Sequence, residues 1–193
     1  MAKPGATHPI VGYVIRGPDN GTYMFDERAE SCRACGYRRD LLATNPRYAF
    51  PRRSKLDVST TYDGQLIVSS RFKEWVDRAG LEGAVFHPFQ DDPRHFHLLS
   101  DRVLPFDTAA RGTRFIGAIC GECGQAAEVI GSDPTLLRVS GPIERGFART
   151  DTVFGSYGAK HPLILVDVGT GKRLEAAKMR GLDLSPAYGT LLA

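Results

Sequence analysis

Four cysteines are the residues whose types and spacing best suit them to chemistry, and that chemistry is metal binding. They stand as Cys32-Arg-Ala-Cys35-Gly36 and Cys120-Gly-Glu-Cys123-Gly124, with 84 residues between the pairs. A structural zinc ion takes four ligands in a tetrahedron. Each pair offers two thiolates on a tight turn whose following glycine can take a positive φ. His8, His87, His95, His97 and His161 all lie outside both motifs, so neither pair has a histidine of its own to complete a separate site. One shared Zn2+ held by Cys32, Cys35, Cys120 and Cys123 is the economical reading. Four protein ligands leave no open coordination position, so the ion would be structural.

Disulfides and free buried thiols are the competing uses of these cysteines. The first ten residues carry no apolar run ending in a small-residue cleavage site, so the expected compartment is the cytoplasm, where paired Cys-x-x-Cys motifs bind metal. A shared ion closes a loop of nearly half the chain. That closure costs about 4 to 5 kcal/mol, against about 10 to 16 kcal/mol of apparent zinc affinity in small zinc-finger peptides, so the ion can hold the loop shut.

At 193 residues and 42% hydrophobic content the chain can build a proper core, as a single domain over 1–193 or as two halves, 10–90 and 110–190. No apolar run approaches the eighteen or so residues of a membrane span. The net charge of +3 says little by itself, but its distribution does. Between Arg33 and Lys55 seven basic residues face Asp40 alone, a local charge of +6. Arg38, Arg39, Arg47, Tyr48, Arg52 and Arg53 fall in this stretch. With Tyr37 and Phe50 they would suit a nucleic acid, cations on phosphates and rings on unpaired bases. The competing use is a solvated loop whose aromatics turn into the core, and the same charge could dock an acidic protein surface.

Around the first cysteine pair the pattern predicts a strand at Ile10 to Ile15, a turn at Gly17 to Gly21 and a returning strand at Thr22 to Phe25. Leu66-Ile67-Val68 reads as a buried strand. Ser69 or Ser70 then caps a helix with Phe72, Trp75, Val76 and Ala79 on one face, ended by Gly80 and followed by a strand at Ala84 to Phe86. A similar order returns a hundred residues later: strand at Leu163 to Val166, a helix capped by Thr170 from about Gly171 to Arg180, Gly181-Leu182, then a strand running to Pro186. The fold class is therefore α+β, with two similar βαβ-like lobes joined by a shared zinc-ribbon-type site of four cysteines. Internal duplication and two common β-α-β units in one domain both remain open.

The double Cys-x-x-Cys-Gly, the run Phe147-Ala148-Arg149-Thr150-Asp151, the strand Pro162 to Asp167 and the segment Leu174 to Leu182 resemble the myxobacterial double-CxxCG paralogous family. The likeness is best over residues 118–188 and at the first motif. Some members of that family are immunity proteins against toxins delivered between neighbouring cells. The resemblance implies a cytoplasmic, zinc-stapled, non-catalytic protein whose partner is a cognate protein toxin. Only the four cysteines and the glycines after them carry over residue by residue.

Catalytic patterns are sparse. Gly169-Thr170-Gly171-Lys172 resembles the end of a phosphate loop, but Val166 stands where the first glycine belongs and Arg173 where a magnesium-binding hydroxyl belongs. His95 and His97, with His87, Asp91 and Asp92 nearby, offer a second metal cluster or, more simply, a polar strand edge. No Gly-x-Ser-x-Gly elbow is present, so an enzyme is not expected. Proteins that block nucleases are often acidic, and the only acidic face suggested here gathers Asp91, Asp92, Glu122 and Glu128.

Overall fold

The apolar runs that the sequence marks most clearly lie side by side in the computed structural model, which describes residues 8–25, 30–40, 42–51, 55–139 and 141–190. In chain order the elements are β1 (Ile10–Arg16), β2 (Val58–Thr60), β3 (Leu66–Ser69), α1 (Ser70–Arg78), β4 (Ala84–Pro88), β5 (His95–Ser100), β6 (Val103–Leu104), α2 (Thr108–Arg111), β7 (Arg114–Ile116), β8 (Glu128–Ile130), β9 (Thr135–Leu137), β10 (Phe147–Ser156), β11 (His161–Asp167), α3 (Val168–Ala176) and β12 (Asp183–Gly189). One sheet runs β7-β8-β10-β11-β1-β12-β9, with β6 paired to β10, and a second runs β2-β3-β5-β4. The protein is thus mixed α+β, rich in strands and poor in helix. Among the described residues no helix is long and apolar enough to cross a membrane.

Successive side chains of a strand point to opposite faces, and β11 uses both. Leu163 and Leu165 enter a core with Val11, Val14, Phe106, Leu137 and Phe154. Ile164 and Val166 enter another with Ile15, Val68, Phe72, Val76, Leu98 and Leu174. A strand covered on both faces has no polar alternation, which is why Leu163 to Val166 is unbroken apolar sequence. The second core joins the small sheet, α1 and α3 to the large sheet.

Helix α1 forms as its pattern predicts. Ser69 accepts the N–H of Phe72 at 3.3 Å, Phe72 and Val76 are buried, and Lys73 pairs with Asp77 at 2.7 Å on the outer face. Gly80 follows at φ +57. The second helix departs from expectation. Its cap is Asp167, whose carboxylate accepts the N–H of Thr170 at 3.0 Å and also that of Gly146 at 2.8 Å, so α3 starts at Val168 and ends at Ala176. Thr170 is buried inside its first turn. Gly171 is needed within this helix because a Cβ there would lie 2.4 Å from the ring of Tyr13, where α3 packs on β1.

Two further expectations are corrected. Thr22 to Phe25 does not return as a strand beside β1, because both edges of β1 are already taken, by β11 and by β12. The segment instead crosses to the other sheet, where Asn20 N–H donates to Thr60 O and Tyr62 N–H to Thr22 O. The strand-helix-strand units are not simple β-α-β pairs either. β3 and β4 are both antiparallel to β5, which lies between them, and β11 and β12 are both antiparallel to β1, which lies between them. β1 sits inside the sheet otherwise built from residues 103–189, and β5 belongs to the small one.

Candidate metal centre

Each cysteine pair is held in the same small turn. Gly36 N–H donates to Cys32 O at 2.8 Å and Cys32 N–H to Tyr37 O at 2.7 Å; Gly124 N–H donates to Cys120 O at 2.8 Å and Cys120 N–H to Gln125 O at 3.0 Å. Gly36 and Gly124 take φ +73 and +69 with nothing within 4 Å of the Cβ position, so each glycine is there for its backbone conformation and not for lack of space.

The fold sets the two turns face to face. Cys32 Sγ lies 3.9 Å from Cys120 Sγ and Cys35 Sγ 3.5 Å from Cys123 Sγ. All four sulfurs fall within 4.8 Å of one another, the only such convergence of His, Cys, Asp or Glu ligand atoms among the described residues. A tetrahedron with metal-sulfur bonds of about 2.3 Å has edges of about 3.8 Å, so the donor set fits a soft, tetrahedral ion. Gln125 Nε2 donates to Arg38 O at 3.0 Å, and Arg39 approaches Glu122 at 3.8 Å, joining one turn to the other. Glu122 also lies 3.6 Å from Cys32 Sγ.

The thiols are unequal. Burial pushes Cys35 up to about 12, with hydrogen bonds shared with Cys123, Cys120 and Cys32 acting in the same direction. The N–H groups of Cys123 and Glu122 bring Cys120 down to about 7. A divalent cation bound by thiolates would displace their protons. Lys160, 1% exposed, reaches into this region from the segment between β10 and β11. Its Nζ donates to Ala126 O and lies 4.6 Å from the centre of the Tyr37 ring.

Beyond the first turn Arg38, Tyr48 and Phe50 are used internally. Arg38 is 4% exposed, stacked 4.0 Å over the Phe25 ring and 3.9 Å from Asp63, and its Nη2 donates to Lys160 O at 3.4 Å. Tyr48 is buried, with its hydroxyl bonded to Asn20 and Thr22. Neither is placed to touch a phosphate or a base, which corrects the sequence-based assignment of these two residues. Tyr48 and Phe50 instead form a small core with Met24, Ile67 and Phe89, so the aromatics that looked like a stacking surface are its inward face. Arg39 is half-exposed and Arg47 exposed. Arg52 and Arg53 lie outside the described residues.

Among the described residues the histidines are not part of a second group of three or more converging ligand atoms. His95 bonds Asp92 at 2.9 Å and stacks on Phe50, while His97 Nδ1 bonds the Thr44 hydroxyl at 2.7 Å. Burial, with His87 and Arg38 adding to it, pushes His97 down to about 3, so it is neutral. Asp92 is buried with His95, and Glu128 bonds Ser156, so they do not form an open acidic face with Asp91 and Glu122. Sequence reasoning missed Lys160 and Asp63, since a lysine or aspartate destined for the interior carries no local mark. Compared with protein-family models, curated proteins and solved structures, the chain matches none.

Proposed function

We propose that this chain is a non-catalytic, zinc-stapled immunity protein that binds a cognate protein toxin and neutralises it by occlusion. The observation that carries the zinc half is the convergence of four thiols from two identical turns 88 residues apart. Four thiolates fill a tetrahedral zinc and leave no position for water or substrate, so the ion's work is to fix the fold. The immunity half rests on the resemblance of the double Cys-x-x-Cys-Gly and of residues 118–188 to the double-CxxCG family. A cytoplasmic location follows from the same reading.

We also infer that the molecule is two related lobes clamped by this ion. Supporting this, the order β2-β3-β5-β4 with α1 after β3 has a counterpart in β10-β11-β1-β12 with α3 after β11. The strand-helix-strand segment of each unit is preceded in the chain by one cysteine turn. In the second unit the inserted middle strand comes from the N-terminal segment instead of from the residues after the last strand.

The rival reading, a nucleic-acid-binding zinc ribbon, keeps Arg39, Arg47, Arg52 and Arg53 but loses Arg38 and Tyr48 to the interior. The deciding experiment is coexpression of this chain with the open reading frame immediately upstream of it in a naive host. Rescue of growth specific to the pair supports immunity. A harmless upstream frame, or toxicity without rescue, removes it and leaves the zinc reading intact. Oligonucleotide binding with a steep salt dependence would favour the rival.

A further inference from the structure

We propose that Lys160 is the counter-cation of the metal centre, a buried positive charge that makes a four-thiolate site tenable at this place in the fold. The proposal rests on the metal reading above. A divalent ion with four thiolates carries a net charge of −2; Cys32 is buried and the other three cysteines are partly exposed, so the charge is partly withdrawn from water and gains from a nearby charge of opposite sign. Arg33, exposed within the first turn, and three further cations stand around the cysteine turns. Arg38 is taken by Asp63 and Arg39 by Glu122. Among the described residues no carboxylate lies within ion-pair distance of Lys160.

Lys160 is nonetheless one of the most completely buried long side chains in the protein. Its fixed partners are neutral: Ala126 O, two residues beyond the second turn's glycine, and the face of Tyr37, two residues beyond Cys35. Both belong to the segments that carry the ligands. Burial disfavours its charge and pushes its pKa down, and the charges that oppose burial are those of Cys123 and Cys35, one from each turn. With protonated thiols the ammonium is therefore a burden, and with a metal tetrathiolate it is compensated.

The backbone around Lys160 is shaped to deliver it. The tight turn Tyr157–Ala159 precedes it, with Tyr157 at φ +49 and Gly155 at φ +121, where a Cβ would meet Ala159 O at 2.8 Å. Tyr157 N–H donates to Ala127 O at 2.7 Å, and its ring lies 5.8 Å from that of Tyr37. These contacts fasten the turn to both cysteine motifs at once.

The experiment compares the full-length wild type with Lys160→Gln, which can keep a hydrogen bond to Ala126 O but not the charge, and Lys160→Arg, which keeps the charge. Lys160→Met serves if the glutamine variant does not fold. Cobalt(II) uptake is followed by thiolate charge-transfer absorption, zinc affinity by competition with a chromophoric chelator, and metal-free stability by thermal melts in chelator. The expected result is a loss of about 10- to 100-fold in affinity for the neutral variants, the range typical of residues behind a metal's ligands. Lys160→Arg should stay close to wild type, and the metal-free neutral variants should melt no lower than metal-free wild type. Three results overturn the proposal: neutral variants that bind cobalt within about twofold of wild type, an arginine variant as weak as the glutamine one, or metal-free and metal-loaded forms destabilised alike. A wild type that takes up no metal refutes the metal reading itself, a different and separately visible failure.

Discussion

Replacing Cys120 with serine would remove one sulfur from four and with it a cross-link between residues 88 apart. The turn itself should survive, because its bonds between Cys120, Gly124 and Gln125 are made by backbone groups and a serine hydroxyl can still accept from the N–H groups of Cys123 and Glu122. The perturbation therefore isolates the cross-link. Closing a loop of that length removes about 4 to 5 kcal/mol of entropy from the unfolded chain, of which about 4 comes from the logarithm of loop length. Native stability is typically about 5 to 15 kcal/mol, so the variant should lose a third or more of it. For a chain of this size each kcal/mol is worth about 2 to 4 °C of melting temperature, giving a drop of roughly 10 to 20 °C. Thermal unfolding would be followed by circular dichroism for both proteins, with metal and with chelator, alongside metal content. Wild type in chelator should fall to the level of Cys120→Ser, and the variant should not respond to chelator. A metal-free Cys120→Ser that melts with metal-loaded wild type would refute the argument. A wild type that responds to reductant and not to chelator would point to disulfides instead.

Two further perturbations probe the frame around the site. Asp57 is buried and joins the start of β2 to α1 and to the segment between α3 and β12, accepting from Ser69 at 2.9 Å, Arg71 at 2.7 Å and Arg180 N–H at 2.9 Å. Burial pushes its carboxyl up, but these partners outweigh burial and hold it below the ordinary carboxylate range. A depressed group stabilises the fold above its unfolded pKa and loses that contribution as pH falls through the folded value. Asp57→Asn should therefore cost about 2 to 4 kcal/mol at neutral pH in urea melts, and the gap to wild type should narrow below about pH 4. A gap that does not change with pH would sink this account. Gly146 has φ +113 and a Cβ position 2.3 Å from Glu82 O, whereas Gly121 has ordinary φ and open space. Gly146→Ala should lower stability by more than about 2 kcal/mol and Gly121→Ala by less than about 0.5 kcal/mol, and equal melting temperatures for the two would contradict the close approach of those backbones.

The meeting of the four cysteines was legible in the sequence because it depends on local chemistry. Two Cys-x-x-Cys-Gly turns with no nearby histidine can complete a four-ligand site only by meeting each other. Helix α1, with Ser69 at its start and Gly80 after its end, was legible for a similar reason: cap, periodicity and stop lie within one short segment. The strand at Leu163 to Val166 stood out because burial on both faces leaves a continuous apolar run.

Tertiary structure decided what depends on the edges and spaces left by the rest of the chain. Nothing within Ile10 to Arg16 says that this strand lies between β11 and β12, residues more than 140 positions away, and that placement is what denied Thr22 to Phe25 a strand to pair with. The helix cap moved from Thr170 to Asp167 because that carboxylate also holds Gly146 from a neighbouring segment. Arg38 and Tyr48 read as a surface by charge and ring content, yet Asp63, Phe25, Asn20 and Thr22 draw them inward. Lys160 is the clearest case. A lysine is exposed by default, and only the assembled fold brings Ala126 and Tyr37, each just beyond a cysteine turn, together around it, because burial is a property of what surrounds a residue and not of the residue alone.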